Sequence, residues 1–395
     1  MDKLSPTWFA ETMGFLTGYL DPNNPQPDVQ KKFAESGIIQ PQDGLFMVGS
    51  REGITQVCGR DAAFSSEEAI RIGNIRPQIP MHLDPPEHAK YRKLLDHLFS
   101  PKQMTGVEDE IVNRANSLID AFQDRGECNF TNEFAEPYPG MIFLDLMGLP
   151  QSDRLTLQSM VDAIFHPGEG VTTDIDEIAR IQNEGGQRVY DYFEQVIADR
   201  RKKPSDDVVS GFLEVEVDDR PLTTEEMLDM CFTLLVGGLD TVKATLTAFM
   251  AFLGRNPSYR DQLVADPTTI PQATEEMLRW ETPTTLFIRR STANQEVLGC
   301  PVKEGQMVIL NNAAANLDPD VFPDPMTVDF SRKPNRHIAF GAGVHRCLGS
   351  HLARRELNVA MQEWHRRIPN WSLKPGTNLS SMLPIRNIDN LELIW

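Results

Sequence analysis

The sequence is poor in cysteine, in positive charge and in signs of a membrane or secretory segment. Its cysteines are widely spaced, form no C-x-x-C pair and number five: Cys58, Cys128, Cys231, Cys300 and Cys347. This odd, scattered set argues against a disulfide framework, a zinc site or an iron–sulfur cluster. The formal net charge of −19 disfavours nucleic acid as a partner.

Long apolar runs are also absent. A run such as Ala248 to Leu253 is far too short to span a membrane. The first residues after Met1 include neither a basic n-region nor an apolar h-region. No Gly/Ser linker or low-complexity tract divides the chain. We therefore expect one globular domain over residues 1–395, in a cytoplasmic and monomeric protein without a membrane segment.

What the sequence does contain is a glycine-rich loop that ends in a cysteine and leads into a helical pattern. The loop reads Phe340-Gly341-Ala342-Gly343-Val344-His345-Arg346-Cys347-Leu348-Gly349. Glycines lack a Cβ, so this backbone can bend tightly and lie against a flat object. A cysteine at a helix N-terminus is favoured as a thiolate, which suits a soft metal centre. The alternative is a buried, inert cysteine, which would leave the three glycines unexplained.

The pattern Phe340-x-x-Gly343-x-His345-x-Cys347-x-Gly349 resembles the haem-binding loop of the cytochrome P-450 family of haem-thiolate monooxygenases. The resemblance implies haem b as the cofactor, with Cys347 as the axial ligand of its iron. It also implies a bacterial protein, because eukaryotic members typically carry a membrane anchor. In that family the thiolate pushes electron density towards the iron and favours O–O cleavage. Phe340, Gly341 and Gly349 would lie against the same cofactor.

The resemblance also implies the family's fold, which is mainly α with small β-sheets in a helix-rich wedge around the haem. We expect a long central helix over residues 223–254, because Thr223-x-x-Glu226 is a capping box at its start. Gly237 and Gly238 lie mid-helix, where each costs about 1 kcal/mol relative to alanine, which indicates a locally opened helix. The β-rich parts are expected near 40–60, 286–312 and 380–395. Among them, residues 297–302 and 307–310 are predicted to form a hairpin.

A second motif, Asp84-Pro85-Pro86-Glu87-His88, precedes a helix that carries His88 and Arg92 on one face. Read alone, two such residues are typical of a solvated helix surface. The resemblance instead implies that His88, Arg92, Arg289 and His345 bind the haem propionates.

The middle of the predicted long helix, residues 234–242, resembles the family's oxygen-binding groove, in particular that of the camphor-hydroxylase branch. This implies that Gly237 and Gly238 admit dioxygen, the co-substrate, and that Asp240 and Thr241 are catalytic. Thr241 would hydrogen-bond oxygen or water, so that protonation favours O–O cleavage over loss of peroxide. Asp240 would relay protons while held by a basic side chain of a lid near residues 166–170. The alternative for Thr241 alone is a threonine bonded back to its own helix.

Glu276 and Arg279 match the family's structural Glu-x-x-Arg pair, which locks onto a later basic residue. We propose Arg332 or Arg336 for that role. An ion pair at this spacing is routine on any helix, so the motif is weak on its own.

The residues that would line the substrate pocket by resemblance are all apolar: Ile79, Leu234, Leu235, Gly238, Leu286, Phe287, Leu383 and Ile385. Residues 65–81 contain no tyrosine, whereas camphor hydroxylase presents one to its ketone there. We therefore expect a terpenoid, ionone-like, steroid or aromatic hydrocarbon substrate rather than camphor.

Electrons would come from NAD(P)H through a reductase and a [2Fe–2S] ferredoxin. The ferredoxin is expected to dock on a local basic face made of Lys90, Arg92, Lys93, Arg346 and Arg354. Two alternatives remain open, a peroxide-dependent peroxygenase and a non-catalytic haem sensor or carrier.

Overall fold

The structure, a computed structural model, describes residues 25–67, 76–99, 107–167, 172, 174–379 and 385–395. Its α-helices are α1 (Pro25–Phe33), α2 (Arg51–Cys58), α3 (Glu87–Leu98), α4 (Glu108–Asp120), α5 (Pro137–Leu146), α6 (Arg154–Phe165), α7 (Ile175–Lys202), α8 (Val208–Glu214), α9 (Thr224–Gly238), α10 (Asp240–Arg255), α11 (Pro257–Ala265), α12 (Ile270–Glu281), α13 (Asn312–Ala315) and α14 (Ser350–Arg367). Its strands are β1 (Ile38–Gln42), β2 (Leu45–Val48), β3 (Phe64–Ser65), β4 (Glu127–Asn129), β5 (Glu216–Val217), β6 (Arg220–Pro221), β7 (Leu286–Ser291), β8 (Gln295–Val297), β9 (Cys300–Val302), β10 (Met307–Asn311), β11 (Ser372–Leu373) and β12 (Glu392–Ile394).

The predicted long helix is two helices placed end to end. Its start is as expected, because the Thr223 hydroxyl accepts from the Glu226 N–H and the Glu226 carboxylate accepts from the Thr223 N–H. Helix α9 ends at Gly238, Leu239 stands outside both helices, and α10 begins at Asp240. The predicted opening beside the double glycine is therefore a complete break at Leu239.

Helices α9 and α10 form the core of the protein. Among the described residues, they are the only helical stretch long and apolar enough to cross a membrane. Yet 78% of the most apolar window is buried inside the protein. This stretch is apolar because it packs in the interior of the protein. The break at Leu239 is therefore buried as well.

The largest sheet has the strand order β1-β2-β10-β7-β3, in which β10 runs parallel to β2 and antiparallel to β7. The predicted hairpin between residues 297–302 and 307–310 is wrong. Strands β8 and β9 pair with each other around Leu298 and Gly299, whose φ angles of 50° and 79° suit a tight two-residue turn. Strand β10 then crosses to β7 and β2.

The other predicted β-rich parts are only partly so. Residues 51–58 form helix α2 rather than strand. At the C-terminus, β12 pairs with β4 and β11 in a second sheet, while residues 380–384 lie outside the described residues.

The protein has two large apolar clusters, and each of the two central helices belongs to one of them. One is built from α4, α5, α10, α12 and α14, and the other from α3 and α5 to α9. Leu234 of α9 and Leu348 and Leu352, which follow Cys347, all pack against the second cluster. The helix break and the cysteine loop therefore approach the same region of the core.

Candidate active site

The cysteine loop is a compact turn closed by backbone hydrogen bonds. The Cys347 N–H donates to the Phe340 carbonyl at 2.8 Å, and the Arg346 N–H donates to the Gly343 carbonyl at 3.2 Å. Gly343 has a φ of 69°, and a Cβ there would lie 2.6 Å from the Cys58 carbonyl oxygen. Only glycine satisfies both constraints. Helix α14 begins at Ser350, immediately after the loop.

Cys347 is enclosed by protein atoms yet keeps exposed surface, as expected for a side chain that lines an opening. Burial raises the pKa of its thiol, although a hydrogen bond from the Gly349 backbone and the charges of Arg92, Arg346 and Arg354 lower it. The helix N-terminus therefore does not by itself produce the thiolate that the sequence predicts. Binding of a metal ion would remove this proton.

An ion-pair network supports the loop from behind. The Arg354 guanidinium lies 4.4 Å from the centre of the Phe340 ring. It also binds both oxygens of Glu275, at 2.6 and 2.9 Å, and His337 Nε2 lies 3.0 Å from the same carboxylate. Burial disfavours the charged Glu275, but the hydrogen bonds from His337 and Arg354 lower its pKa to about 2. The first aromatic residue of the loop is thus held by a fixed cation.

A second network joins helix α12 to the segment that leads into the loop. The Arg279 guanidinium binds Glu276 bidentately, with both distances 2.8 Å, and both side chains are almost fully buried. Arg332 Nε lies 3.2 Å from the same carboxylate. Of the two residues named as third partner, the structure selects Arg332. The carbonyl of Arg336 instead accepts from Arg51 at 2.7 Å.

Four basic residues named for the propionates come together. The rings of His88 and His345 are 4.3 Å apart. Burial first, and then the nearby Arg289, His88 and Arg92, lower the pKa of His345 to about 3. Among the described residues, Arg92 pairs with Asp96 at 2.8 Å, while His88, Arg289 and His345 have no carboxylate in an ion pair. The positive charges of Arg92 and Arg289, together with the imidazole donors of His88 and His345, fit the two carboxylates of a haem.

The helix break exposes backbone to the interior. Gly237 is solvent-accessible within an otherwise buried helix, and a Cβ there would meet nothing within 4 Å. Thr241 Oγ1 donates to the Gly237 carbonyl at 3.0 Å, which satisfies an acceptor that the break leaves without its helical partner. The back-bonded alternative for Thr241 is thus realised, and open space lies beside it.

Asp240 is buried, with 1% of its surface exposed, and is surrounded by donors. Asn387 Nδ2 donates to Asp240 Oδ2 at 2.8 Å, and His166 Nε2 lies 3.5 Å from the same oxygen. Lys243 Nζ lies 3.9 Å from Oδ1. Burial opposes the charged form, but His166, Lys243 and Asn387 outweigh it and lower the pKa of Asp240. The carboxylate is therefore ionised at neutral pH.

The predicted pocket residues do not all face one space. Leu235 has no exposed surface and packs in the second core cluster, so it is a core residue. Adjacent strand residues point to opposite faces, and Leu286 and Phe287 of β7 accordingly pack against different clusters. Phe287 shares its face with Arg289, whereas Leu286 faces the other way.

Of three further residues predicted to line the pocket, two are buried and one is partly exposed. Ile79 and Ile385 are each 8% exposed, and Leu234 is partly exposed. Ile385 forms an isolated antiparallel bridge with Thr284. Leu383 lies outside the described residues.

Sequence reasoning missed Asn387 and Lys243. Lys243 lies three positions after Asp240, so helical spacing could have identified it. Asn387 approaches Asp240 from 147 positions away, and no local pattern marks it. A basic partner for Asp240 was expected without a residue being named, and His166 lies at hydrogen-bonding distance from its carboxylate.

Several charges of the basic face proposed for docking are already neutralised by ion pairs within the protein. Lys90 pairs with Glu87 and Asp218, and Arg354 pairs with Glu275. Arg92 is held by Asp96. Within the part of the chain that the structure describes, Lys93 and Arg346 form no ion pair and remain candidates for an external partner.

Comparison with known proteins gives consistent matches. A family model described as cytochrome P-450 matches residues 37–375. A probable cytochrome P-450 of Sinorhizobium fredii is 35% identical over 337 residues, which covers 84% of this chain and 79% of the relative. A steroid C26-monooxygenase of Mycobacterium tuberculosis is 32% identical, covering 91% of this chain and 96% of the relative.

Two further matches extend the picture. A methyl-branched lipid omega-hydroxylase of Mycobacterium bovis is 32% identical and covers 84% of this chain and 79% of the relative. The crystal structure of the cytochrome P-450 enzyme CYP109B1 from Bacillus subtilis superposes with a TM-score of 0.83 at 26% identity. It covers 95% of this chain and 100% of that structure.

Proposed function

The chain belongs to the cytochrome P-450 family and is a monooxygenase, and we propose that it inserts one oxygen atom from dioxygen into an apolar, lipid-like substrate. The observation that carries this proposal is the ionised, buried Asp240 next to Thr241 at the helix break. A haem carrier or sensor has no use for a buried proton donor site beside open backbone. A peroxide-dependent enzyme likewise does not need protons delivered to dioxygen.

The proposed cofactor is haem b, held by Cys347 on one side and by His88, Arg92, Arg289 and His345 at its propionates. When bound, the haem supplies the oxidising chemistry, while the protein supplies orientation and protons. Phe340, Gly341 and Gly349 shape the surface on the cysteine side. On the other side, a small co-substrate would fit beside the accessible backbone of Gly237; at Gly238 a Cβ would lie 3.4 Å from the Phe143 ring, which leaves less room.

The protein's own contribution to the reaction is control of protons. The Thr241 hydroxyl, which now donates to the Gly237 carbonyl, would donate to oxygen or to a water in the working enzyme. Asp240 would supply the protons that Thr241 passes on. His166 reaches Asp240 from the end of helix α6, which supports it as the basic residue that would hold Asp240.

We further propose that electrons arrive from an acidic [2Fe–2S] ferredoxin and its NAD(P)H-dependent reductase, acting on a cytoplasmic monomer. Charge reversal by Lys93→Glu together with Arg346→Glu should slow electron transfer, most strongly at low salt. The reason is that exposed charges are screened beyond about 8 Å near 0.15 M salt. The measurement is the rate of haem reduction by a ferredoxin in stopped flow.

Lys203→Glu is the matched control, because it reverses one exposed charge at the end of helix α7. Its reduction rate should equal that of the wild type after allowance for net charge. Equal rates for the double reversal and the control would move the docking site away from Lys93 and Arg346.

The substrate is proposed to be a terpenoid, ionone-like compound, steroid or aromatic hydrocarbon. The named pocket side chains are apolar, and such a pocket selects for shape with few hydrogen bonds. Arg386, which follows Ile385, is buried and binds Glu281 at 2.6 Å, so it is not available to a substrate carboxylate. The steroid C26-monooxygenase relative supports a steroid within this class.

A ligand panel tests this substrate class. Burying about 300 Å² of apolar surface at roughly 25 cal/mol per Å² gives about 7 kcal/mol before ordering costs, so affinities should be about micromolar or weaker. Steroids and terpenoids should shift the haem towards high spin by displacing water from the iron. Straight-chain fatty acids should give the smaller shift. If fatty acids give the larger shift and cyclic hydrocarbons none, the proposed class is wrong.

A further inference from the structure

Asp240 forms a triangle with a histidine and an asparagine. Asn387 Nδ2 lies 2.8 Å from Asp240 Oδ2 and 3.4 Å from His166 Nε2. His166 Nε2 lies 3.5 Å from the same Asp240 oxygen. Small movements of either side chain would let Nε2 hydrogen-bond to the carboxylate or to the amide.

Only one member of the triangle reaches solvent. Asp240 and Asn387 have 1% and 0% of their surface exposed, whereas the His166 side chain is 13% exposed. Imidazole changes charge near neutral pH and is a common proton shuttle. A carboxamide does not titrate in this range, so Asn387 can orient its neighbours but cannot relay a proton.

We propose that His166 passes protons to Asp240 and that Asn387 is a positioning residue for this transfer. The inference rests on the proton-delivery role proposed above for Asp240. Before transfer, the imidazolium Nε2–H donates to Asp240 Oδ2. The proton then moves to Oδ2, which leaves a neutral carboxyl group and a neutral imidazole. The vacated lone pair of Nε2 accepts the second N–H of Asn387 until solvent returns a proton to Nε2. Asp240 passes its own proton on towards Thr241, which restores the carboxylate.

The backbone on both sides of Asn387 is fixed. On one side, the Arg386 guanidinium forms a buried ion pair with Glu281 at 2.6 Å. On the other side, the carbonyl of Ile388 accepts from Thr131 Oγ1 at 2.8 Å. The backbone at Asn387 is therefore anchored to Glu281 at the end of helix α12 and to Thr131, which precedes α5. A fixed backbone lets the side-chain amide of Asn387 hold both Asp240 and His166 in place.

Other charges near the triangle act on the opposite carboxylate oxygen. Lys243 Nζ lies 3.9 Å from Asp240 Oδ1 and 3.6 Å from Glu136 Oε2. Arg154 lies 3.9 Å from Glu136. Burial raises the pKa of Glu136, with Lys243 lowering it and Asp162 raising it. Because Lys243 faces Oδ1, the oxygen that receives the proton in this scheme is Oδ2.

The first test observes His166 directly. The imidazole of isotopically labelled protein is titrated by NMR in the diamagnetic carbon monoxide complex, for wild type and Asn387→Leu. Leucine has a volume similar to that of asparagine but no N–H group, so the neutral imidazole of His166 loses the hydrogen bond from residue 387. The titration midpoint should rise by about 0.5–1 pH unit, the equivalent of one hydrogen bond. An unchanged midpoint would overturn the positioning role.

The second test measures the rate of product formation with NADH, ferredoxin and reductase in excess. His166→Gln and Asn387→Leu should each reduce coupled turnover by about 10-fold or more, within the range for a lost acid–base group. The double variant should be little worse than either single one, because the residues act on one transfer. Asn256→Ala is the control, since its side chain bonds Phe252 at the far end of α10, and it should resemble wild type.

Failure of this inference can be told from failure of the proposed function. If Asp240→Asn slows turnover while His166→Gln does not, protons reach Asp240 by another route and the inference is wrong. If Asp240→Asn has no effect, the proton-delivery role itself is wrong. Should Asn387→Leu not fold, Asn387→Ser, whose hydroxyl is too short to reach both neighbours, is titrated in its place with the same expected rise.

Discussion

Replacing Cys347 by serine should remove the red-shifted carbon monoxide band of the reduced protein and bring turnover below detection. The shifted band is typical of a haem whose iron is bound by a thiolate, and serine would not provide one. Burial raises the pKa of the Cys347 thiol in the polypeptide alone, so the thiolate depends on the iron. The measurement is the difference spectrum of the reduced protein with and without carbon monoxide, together with the haem content.

Cys300→Ser is the matched control. Cys300 is also free, but it lies in strand β9 and not in the loop, so this variant should keep both the band and the activity. Retention of haem and of the shifted band by Cys347→Ser would show that another residue is the axial ligand.

Removing the acid or the alcohol at the helix break should damage the reaction in two different ways. Asp240→Asn should slow turnover by about 10²-fold or more, because a positioned proton donor contributes this much. Thr241→Ala should consume NADH and oxygen at a similar rate, but release most of the reducing equivalents as hydrogen peroxide. NADH, oxygen, peroxide and product are measured in the same reaction.

Thr245→Ala separates the proton role of Thr241 from its helical bond. Thr245 lies one turn later and donates to the Thr241 carbonyl at 2.8 Å, the same back-bond that Thr241 makes to Gly237. If these hydroxyls serve only the helix, the two alanine variants should behave alike. We expect Thr245→Ala to stay coupled and Thr241→Ala to become uncoupled. Full coupling in Thr241→Ala would refute its role.

The sequence predicted those parts of the protein that depend on local patterns. The family and its mainly α fold are confirmed by the comparisons. The capping box of Thr223 and Glu226 could be predicted because its hydrogen bonds join residues only three positions apart. The loop from Phe340 to Gly349 could be predicted for the same reason, because its glycines and its cysteine all lie within one short turn.

The sequence did not predict features set by tertiary packing. The partner that Asn387 provides for Asp240 comes from a distant segment, and no spacing rule connects them. The error over β10 arose because adjacent strands were assumed to pair, whereas β10 finds its partners in β7 and β2. The resemblance implied that both Leu234 and Leu235 line the pocket, but Leu235 is fully buried whereas Leu234 is partly exposed, because neighbours on a helix face different directions.

Isotope labelling during a single turnover tests the central claim most directly. The enzyme is supplied with NADH, a ferredoxin and its reductase, the panel ligand with the largest spin shift, and ¹⁸O₂ in ordinary water. Mass spectrometry of the product should show one ¹⁸O atom per molecule, with one NADH consumed for each product formed. A product that carries only oxygen from water, or one that forms only when peroxide is added, would contradict the assignment of this protein as a dioxygen-dependent monooxygenase.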